Sequence, residues 1–251
     1  MKLPFDTDQG IGTRASLGVV VLETDETLEH EFARIMNIPG VALHATRIPM
    51  VTEIRPETLA RMEADLPAAT RLLPSAPTYD AVGYGCTSGA TVIGPDGVRD
   101  AVHQVIPDVA VTDPLSAIIA GARALGAQRL GFLTPYLPQV SAQMRARLED
   151  AGFTIAGFGS FEESDDRVVA RITPATILSA IQAIAAQAPC DAVVVSCTNL
   201  RVLEVIAQAE ARTNVAILSS NQALAWHMLR LAGVKADIEN RHADYGRLFT
   251  H

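Results

Sequence analysis

The sequence is poor in cysteine, in aromatic residues and in positive charge, and it lacks any long hydrophobic run. Three cysteines without a CxxC pair argue against a disulfide framework or a cysteine zinc site, and they fit a reducing cytoplasm. Aromatics are 5% of the chain against 49% hydrophobic residues, so Ala, Val, Leu and Ile must fill the interior. That is usual where helices pack on parallel strands. A formal net charge of −8 leaves no basic stripe and argues against nucleic-acid binding. No uninterrupted apolar run approaches the ~18 residues of a membrane span, so no membrane partner is expected. The opening MKLPFDTDQGIGTR carries acids and no long apolar core, and does not read as a signal peptide. His30, His44, His103, His227, His242 and His251 show neither HxxxH nor HxH spacing, so no metal site is expected. GxGxxG, Walker and GxSxG patterns are also missing.

What is there is a regular alternation. LGVVVL (17–22), VALHATRIP (41–49), 81–85, 109–111, RLGFLT (129–134), FTIAGFGSF (153–161), 192–196 and 215–218 read as strands. Helical spacing separates them, over residues 28–36, 57–73, 94–105, 114–125, 137–152, 174–187, 202–211 and 223–232. The expected fold is α/β: two similar parallel-sheet lobes with helices on both faces, related by a pseudo-twofold axis. The expected division is 1–113 plus 224–251 for the first lobe and 114–223 for the second. The acidic run 162–166 (EESDD) reads as a solvated turn.

Two cysteines stand at equivalent strand ends. YDAVGYGCTSGATVIG closes its strand at Cys86, and DAVVVSCTNLR closes its strand at Cys197, 111 residues later. Each is followed by threonine. Ligands of open parallel sheets bind beyond the carboxyl ends of strands, so the two thiols should face each other across an interlobe cleft. Backbone N–H groups at a following helix lower a thiol pKa and bind carboxylates. Thr87, Ser88, Thr198 and Asn199 add side-chain donors. This composition suits a small anionic substrate with a thiol on each face of one carbon, one sulfur taking a proton and the other giving one. Cys190 sits outside any repeated context and reads as packing. His227, beside Trp226, reads the same way.

GCTSGATVIG, SCTNL, GFLTPYLPQV, ILSSNQALAWHMLRLAGV and YGRLF, in that order, resemble segments of the aspartate/glutamate racemase superfamily. They are most similar to its branch of maleate cis-trans isomerases and arylmalonate decarboxylases. The resemblance spans essentially the whole chain. It implies a two-lobed fold with an interlobe active site, no metal or organic cofactor, and a homo-oligomer. It implies Cys86 and Cys197 as the reactive pair, Thr87, Ser88, Thr198 and Asn199 around a substrate carboxylate, and Tyr136 hydrogen-bonded to it. The decarboxylases carry glycine where this chain has Cys86, which favours two-thiol isomerase chemistry.

One departure bears on the substrate. Maleate isomerases carry a carboxylate-binding asparagine in the loop after the first strand. Here that loop is VLETDETLEHEF, with Asp25 at the position and Glu23 and Glu26 beside it. Asp25 either caps the next helix or faces the cleft, where it would repel a second carboxylate and attract an ammonium or amidinium. Glu23 and Glu26 read as surface residues. The loop is similar to that of ectoine-utilisation members of the branch, and ectoines are cyclic amidines with one carboxylate. The expected function is thus a cofactor-independent isomerase or racemase, with a role in hydroxyectoine breakdown. The alternatives are maleate cis-trans isomerisation through a Cys86 adduct, racemisation of aspartate, glutamate or a hydantoin, and small-ligand binding without turnover.

Overall fold

The unbroken apolar runs become the central strands. In the computed structural model, which describes residues 1–50, 56–234 and 245–251, β1 (Ala15–Leu22) is buried along its whole length. It pairs with β2 (Val41–Ile48) on one side and β3 (Ala81–Gly85) on the other, and β4 (Ala110–Thr112) lies beyond β3. In the second sheet β5 (Arg129–Thr134) pairs with β6 (Thr154–Ser160) and β7 (Ala192–Val195), with β8 (Ala216–Ser219) beyond. Every pairing is parallel. The orders 2-1-3-4 and 6-5-7-8 share one topology, so the fold is the duplicated α/β architecture expected from the sequence. In each sheet the chain reverses its direction of growth between the two central strands. Such switch points open a crevice at the strands' carboxyl ends. These crevices lie beside β1 and β3, and beside β5 and β7.

Helices α1 (Leu28–Ile35), α2 (Pro56–Thr70), α5 (Pro114–Ala124), α6 (Pro138–Asp150) and α8 (Pro174–Ala185) fall where the spacing predicts them. Three segments differ. An unexpected helix, α3 (Thr87–Ile93), precedes the one expected over 94–105, which is α4 (Pro95–His103). Gly94, at φ 84°, ends the first, and Pro95 begins the second. The helix expected over 202–211 opens as a 3-10 turn, Leu203–Val205, before α9 (Ile206–Thr213). The acidic run leads into a short unexpected helix, α7 (Asp166–Val169).

The last long helix, α10 (Ser220–Leu231), starts three residues earlier than expected. Ser219 and Gln222 form a reciprocal capping box that fixes this start. α10 follows β8 of the second sheet yet packs on the first: a Cβ at Gly83 of β3 would lie 2.6 Å from Met228 Sδ. His227 is held by this packing, its Nδ1 lying 2.8 Å from Thr112 Oγ1. The final 3-10 turn, Arg247–Thr250, sits against the second sheet, where the Arg247 N–H donates to Glu210 at 3.1 Å. His242 lies outside the described residues.

Candidate active site

Each cysteine is fixed by its own loop. Cys86, extended at φ −145°, caps α3: its Sγ accepts the Gly89 N–H at 3.1 Å. This cap requires glycine at 89, because a Cβ there would lie 2.5 Å from Tyr84 Oη and 2.9 Å from Cys86 Sγ. Cys197 follows β7, and its Sγ accepts the Asn199 N–H at 3.3 Å. One hydroxyl ties the two loops together. Ser220 Oγ lies 2.8 Å from Thr87 Oγ1 and accepts the Cys197 N–H at 3.1 Å. The Thr198 hydroxyl donates across to the Gly85 carbonyl at 3.4 Å. Ser88 Oγ is 3.6 Å from Cys86 Sγ, and the Tyr136 hydroxyl, after β5, acts on the Cys197 thiol, lowering its pKa. All these side chains are buried, with Cys86 2% and Cys197 4% exposed.

Asn199 clasps the loop after β1 onto this cluster. Its Nδ2 donates to the Asp166 carbonyl at 3.1 Å, its Oδ1 accepts the Glu26 N–H at 2.9 Å, and its carbonyl accepts the Thr27 hydroxyl at 3.0 Å. Asp25 has the helix-capping role, one of its two readings. Oδ1 accepts the Thr27 and Leu28 N–H groups at 2.8 and 2.7 Å and so caps α1. Oδ2 is buried without a hydrogen-bond partner among the described residues. Glu23 and Glu26 are exposed, as expected, and Glu26 pairs with Arg171 at 2.5 Å. Cys190 is a half-buried free thiol.

The electrostatics run against one expectation. Burial outweighs the helix-end amides, pushing the Cys86 thiol up to about 11 despite Ser88 and the Gly89 N–H. Burial likewise pushes Cys197 well above the usual thiol range; the Asp166 and Asp25 charges add to this, against Tyr136 and the Asn199 N–H. Both thiols therefore rest protonated at neutral pH.

Sequence reasoning missed four residues of this cluster. Asp166, placed in a solvated turn, is 2% exposed, whereas its neighbour Glu162 is exposed. Asp166 Oδ2 accepts the Thr24 hydroxyl at 2.6 Å, and burial pushes its carboxyl up to about 6. Glu31 of α1 is buried across the interface. Its carboxyl oxygens accept the Leu203 N–H and the Asn221 amide, both at 2.9 Å. The same Asn221 amide holds the Thr198 carbonyl at 2.7 Å. Burial pushes Glu31 up to about 7. With Ser220, the missed residues are Asp166, Glu31, Asn221 and Ser220. The S-x-x-Q of residues 219–222 was the available signal for the last two. Among the described residues no group of three His, Cys, Asp or Glu could hold a metal ion, and no helix is long and apolar enough to cross a membrane.

Known proteins share this architecture. The arylmalonate decarboxylase family matches residues 101–249, more than half of the chain. The maleate isomerase of Nocardia farcinica is 29% identical over 227 residues, 85% of this chain and 88% of that protein. The arylmalonate decarboxylase of Bordetella bronchiseptica is 32% identical over 135 residues, 53% of this chain and 55% of that protein. A mutant of the Nocardia farcinica maleate cis-trans isomerase, solved with a covalently bound succinylcysteine intermediate, superposes with a TM-score of 0.81 at 27% identity. That superposition covers 94% of this chain and 98% of the other. With the family matched over most of its length and the two-lobed fold in common, this chain belongs to the arylmalonate decarboxylase family, in the maleate isomerase and arylmalonate decarboxylase branch of the aspartate/glutamate racemase superfamily.

Proposed function

We propose that this protein is a cofactor-independent isomerase of a small carboxylate, with Cys86 and Cys197 as its reacting pair. The isomerase class rests on relatives aligned along most of the chain. The pair rests on one observation: two free thiols occupy equivalent strand ends of duplicated sheets, joined through Ser220. Two routes fit such a pair. In proton transfer, one sulfur removes a proton from an acidic carbon and the other returns one to the opposite face. In addition–elimination, Cys86 first loses its thiol proton to solvent; its thiolate sulfur then bonds to an alkene carbon while the neighbouring carbon takes a proton from Cys197. Rotation about the new single bond follows. Cys197 then recovers the proton as the C–S bond breaks and the alkene re-forms. The succinylcysteine of the Nocardia farcinica enzyme favours the second route for that protein.

The substrate class follows from charge. Burial raises the Asp25 carboxyl pKa; when Asp25 is ionised, a second carboxylate about 4 Å away would cost roughly 4 kcal/mol at an effective dielectric of 20, and a cationic nitrogen would gain a similar amount and favour that ionised form. Together with the ectoine-utilisation resemblance, this favours an amidine carboxylate and a cytoplasmic role in hydroxyectoine breakdown over a dicarboxylate.

Proton NMR in D2O on wild type, Cys86→Ser and Cys197→Ser tests the reading. The panel holds ectoine, hydroxyectoine, maleate, a hydantoin, a phenylmalonate and both enantiomers of aspartate and glutamate. Conversion or deuterium wash-in that vanishes in both variants is the expected result. Turnover surviving in either variant, or ligand binding with no turnover across the panel, overturns the two-thiol isomerase.

A further inference from the structure

Tyr136 acts on Cys197 from the loop after β5, and Cys86 has a phenol of its own. Tyr84 and Cys86 stand two residues apart along β3 and its extended continuation, so their side chains leave the chain on the same face. That face carries α3. Tyr84 Oη and Cys86 Sγ both lie within 2.9 Å of the point that a Gly89 Cβ would occupy. Glycine at 89 therefore leaves open a gap that hydroxyl and sulfur share. Burial raises the Cys86 thiol, and the Tyr84 hydroxyl is one of the groups that pull it back.

The phenol has no strong acceptor at rest. Tyr84 is fully buried, and among the described residues its O–H meets, besides the Cys86 sulfur, the thioether of Met62 at 3.7 Å. A thioether is a weak acceptor, and a poorly paired buried donor is unfavourable. The resting Cys86 sulfur accepts the Gly89 N–H at 3.1 Å and shares a proton with Ser88 Oγ at 3.6 Å. As a thiolate it only accepts, and a bond to an ionised acceptor is roughly twice as strong as a neutral one. Tyr84 keeps its proton, because burial and then the Cys86 charge push its phenol well above the usual range. Met62 lies on α2, Ser88 and Gly89 on α3, and Tyr84 on β3. The arrangement therefore needs no contact with the second sheet. Three further titratable groups bear on it. Asp166 opposes the Cys86 thiolate, the Asp113 charge reaches Tyr84, and Tyr136 feels the charge of both sulfurs.

We propose that Tyr84 is a positioning residue for the first thiol: its O–H turns from Met62 to the Cys86 sulfur and donates to it as the thiolate forms. This deepens the two-thiol reading above and rests on it. The thiol proton leaves to solvent, the phenol keeps its own, and no covalent bond changes at Tyr84. The same donor eases elimination, in which Cys86 departs as a thiolate. The two phenols divide the work. Tyr136 bears on both sulfurs, whereas Tyr84 bears on Cys86 and not on Cys197. Loss of the Tyr84 hydroxyl should therefore change one thiol and spare the other.

The test is iodoacetamide labelling of both thiols in one sample, read by peptide mass spectrometry on wild type, Tyr84→Phe and Met62→Leu. It is run at about pH 8 and about pH 9, where labelling follows the thiolate. The ratio of the Cys86 rate to the Cys197 rate removes effects common to both sites. Tyr84→Phe keeps the ring and should lower this ratio about three- to fivefold at both pH values. That is the loss of thiolate from a weaker set of donors, less the gain in nucleophilicity that a higher pKa brings. Met62→Leu removes the competing acceptor and should hold or raise the ratio, which preserves the test if Tyr84→Phe does not fold. A role in packing alone would lower the melting temperature and shift both thiols together. A ratio unchanged or raised in Tyr84→Phe, or lowered in Met62→Leu, overturns the assignment. Labelling needs no turnover, so this result stands apart from the NMR panel on which the isomerase reading holds or falls.

Discussion

At Cys86 and Cys197 two physical effects oppose each other, and burial wins. The Gly89 and Asn199 N–H groups favour thiolate, yet both thiols stay protonated because their surroundings are dry and the nearby charges are carboxylates. Tyr136 is the side chain that works in the other direction at Cys197. Its phenol is fully buried and cannot ionise near neutrality, so it serves as a donor. Tyr136→Phe removes that donor while keeping the ring in place. Turnover should fall by ~10²-fold, the lower range for loss of a positioned proton-handling group. The unfolding midpoint should move little. A Tyr136→Phe enzyme with unchanged kcat on the substrate found by NMR would remove Tyr136 from the reaction.

Between elements, Glu31 carries the clearest signature. It lies on α1, yet its carboxylate binds the 3-10 turn at Leu203 and the start of α10, and through Asn221 it steadies the Thr198 carbonyl. Its pKa rises from 4.5 to about 7 on folding, chiefly through burial. Between those values the folded chain keeps a proton that the unfolded chain has lost. The stability from this group is therefore full below pH 4.5 and is lost as pH rises through 7. The shift corresponds to roughly 3 kcal/mol. Urea unfolding of wild type should weaken across that range by this amount relative to Glu31→Gln, which cannot titrate; parallel pH profiles would refute the assignment. Such links explain what the sequence made legible. The strands, most helices and both cysteine loops are local patterns, readable from apolar runs and strand-end residues. Glu31, Asn221 and Asp166 act through partners far along the chain. Asn221 meets Glu31 across 190 positions, and Asp166 meets Thr24 across 142. Nothing local distinguishes the one buried acid in EESDD from its exposed or half-buried neighbours. Small polar residues hid α3 in the same way: TSGATVI reads as a loop, and its helix depends on the Cys86 cap.

For the whole molecule, the question is access. Thiols that are 2% and 4% exposed cannot meet a substrate unless the lobes part. The contacts that hold the β1–α1 loop against the second lobe are Thr24 to Asp166, Thr27 and the Glu26 N–H to Asn199, and the Glu26–Arg171 ion pair. Only the last is exposed, with side-chain exposures of 49% for Glu26 and 63% for Arg171. An exposed pair contributes little to global stability. It nevertheless spans the seam, so losing it should act on opening rather than on unfolding. Glu26→Ala should leave the melting temperature nearly unchanged and speed iodoacetamide labelling of Cys86 and Cys197 by up to ~5-fold. Half-buried Cys190 is the internal control and should label at its wild-type rate. The two site thiols should accelerate together, because Ser220 joins their loops and one opening exposes both. If Cys86 and Cys197 label at unrelated rates, or only as fast as the whole chain unfolds, substrate entry does not proceed by parting this seam.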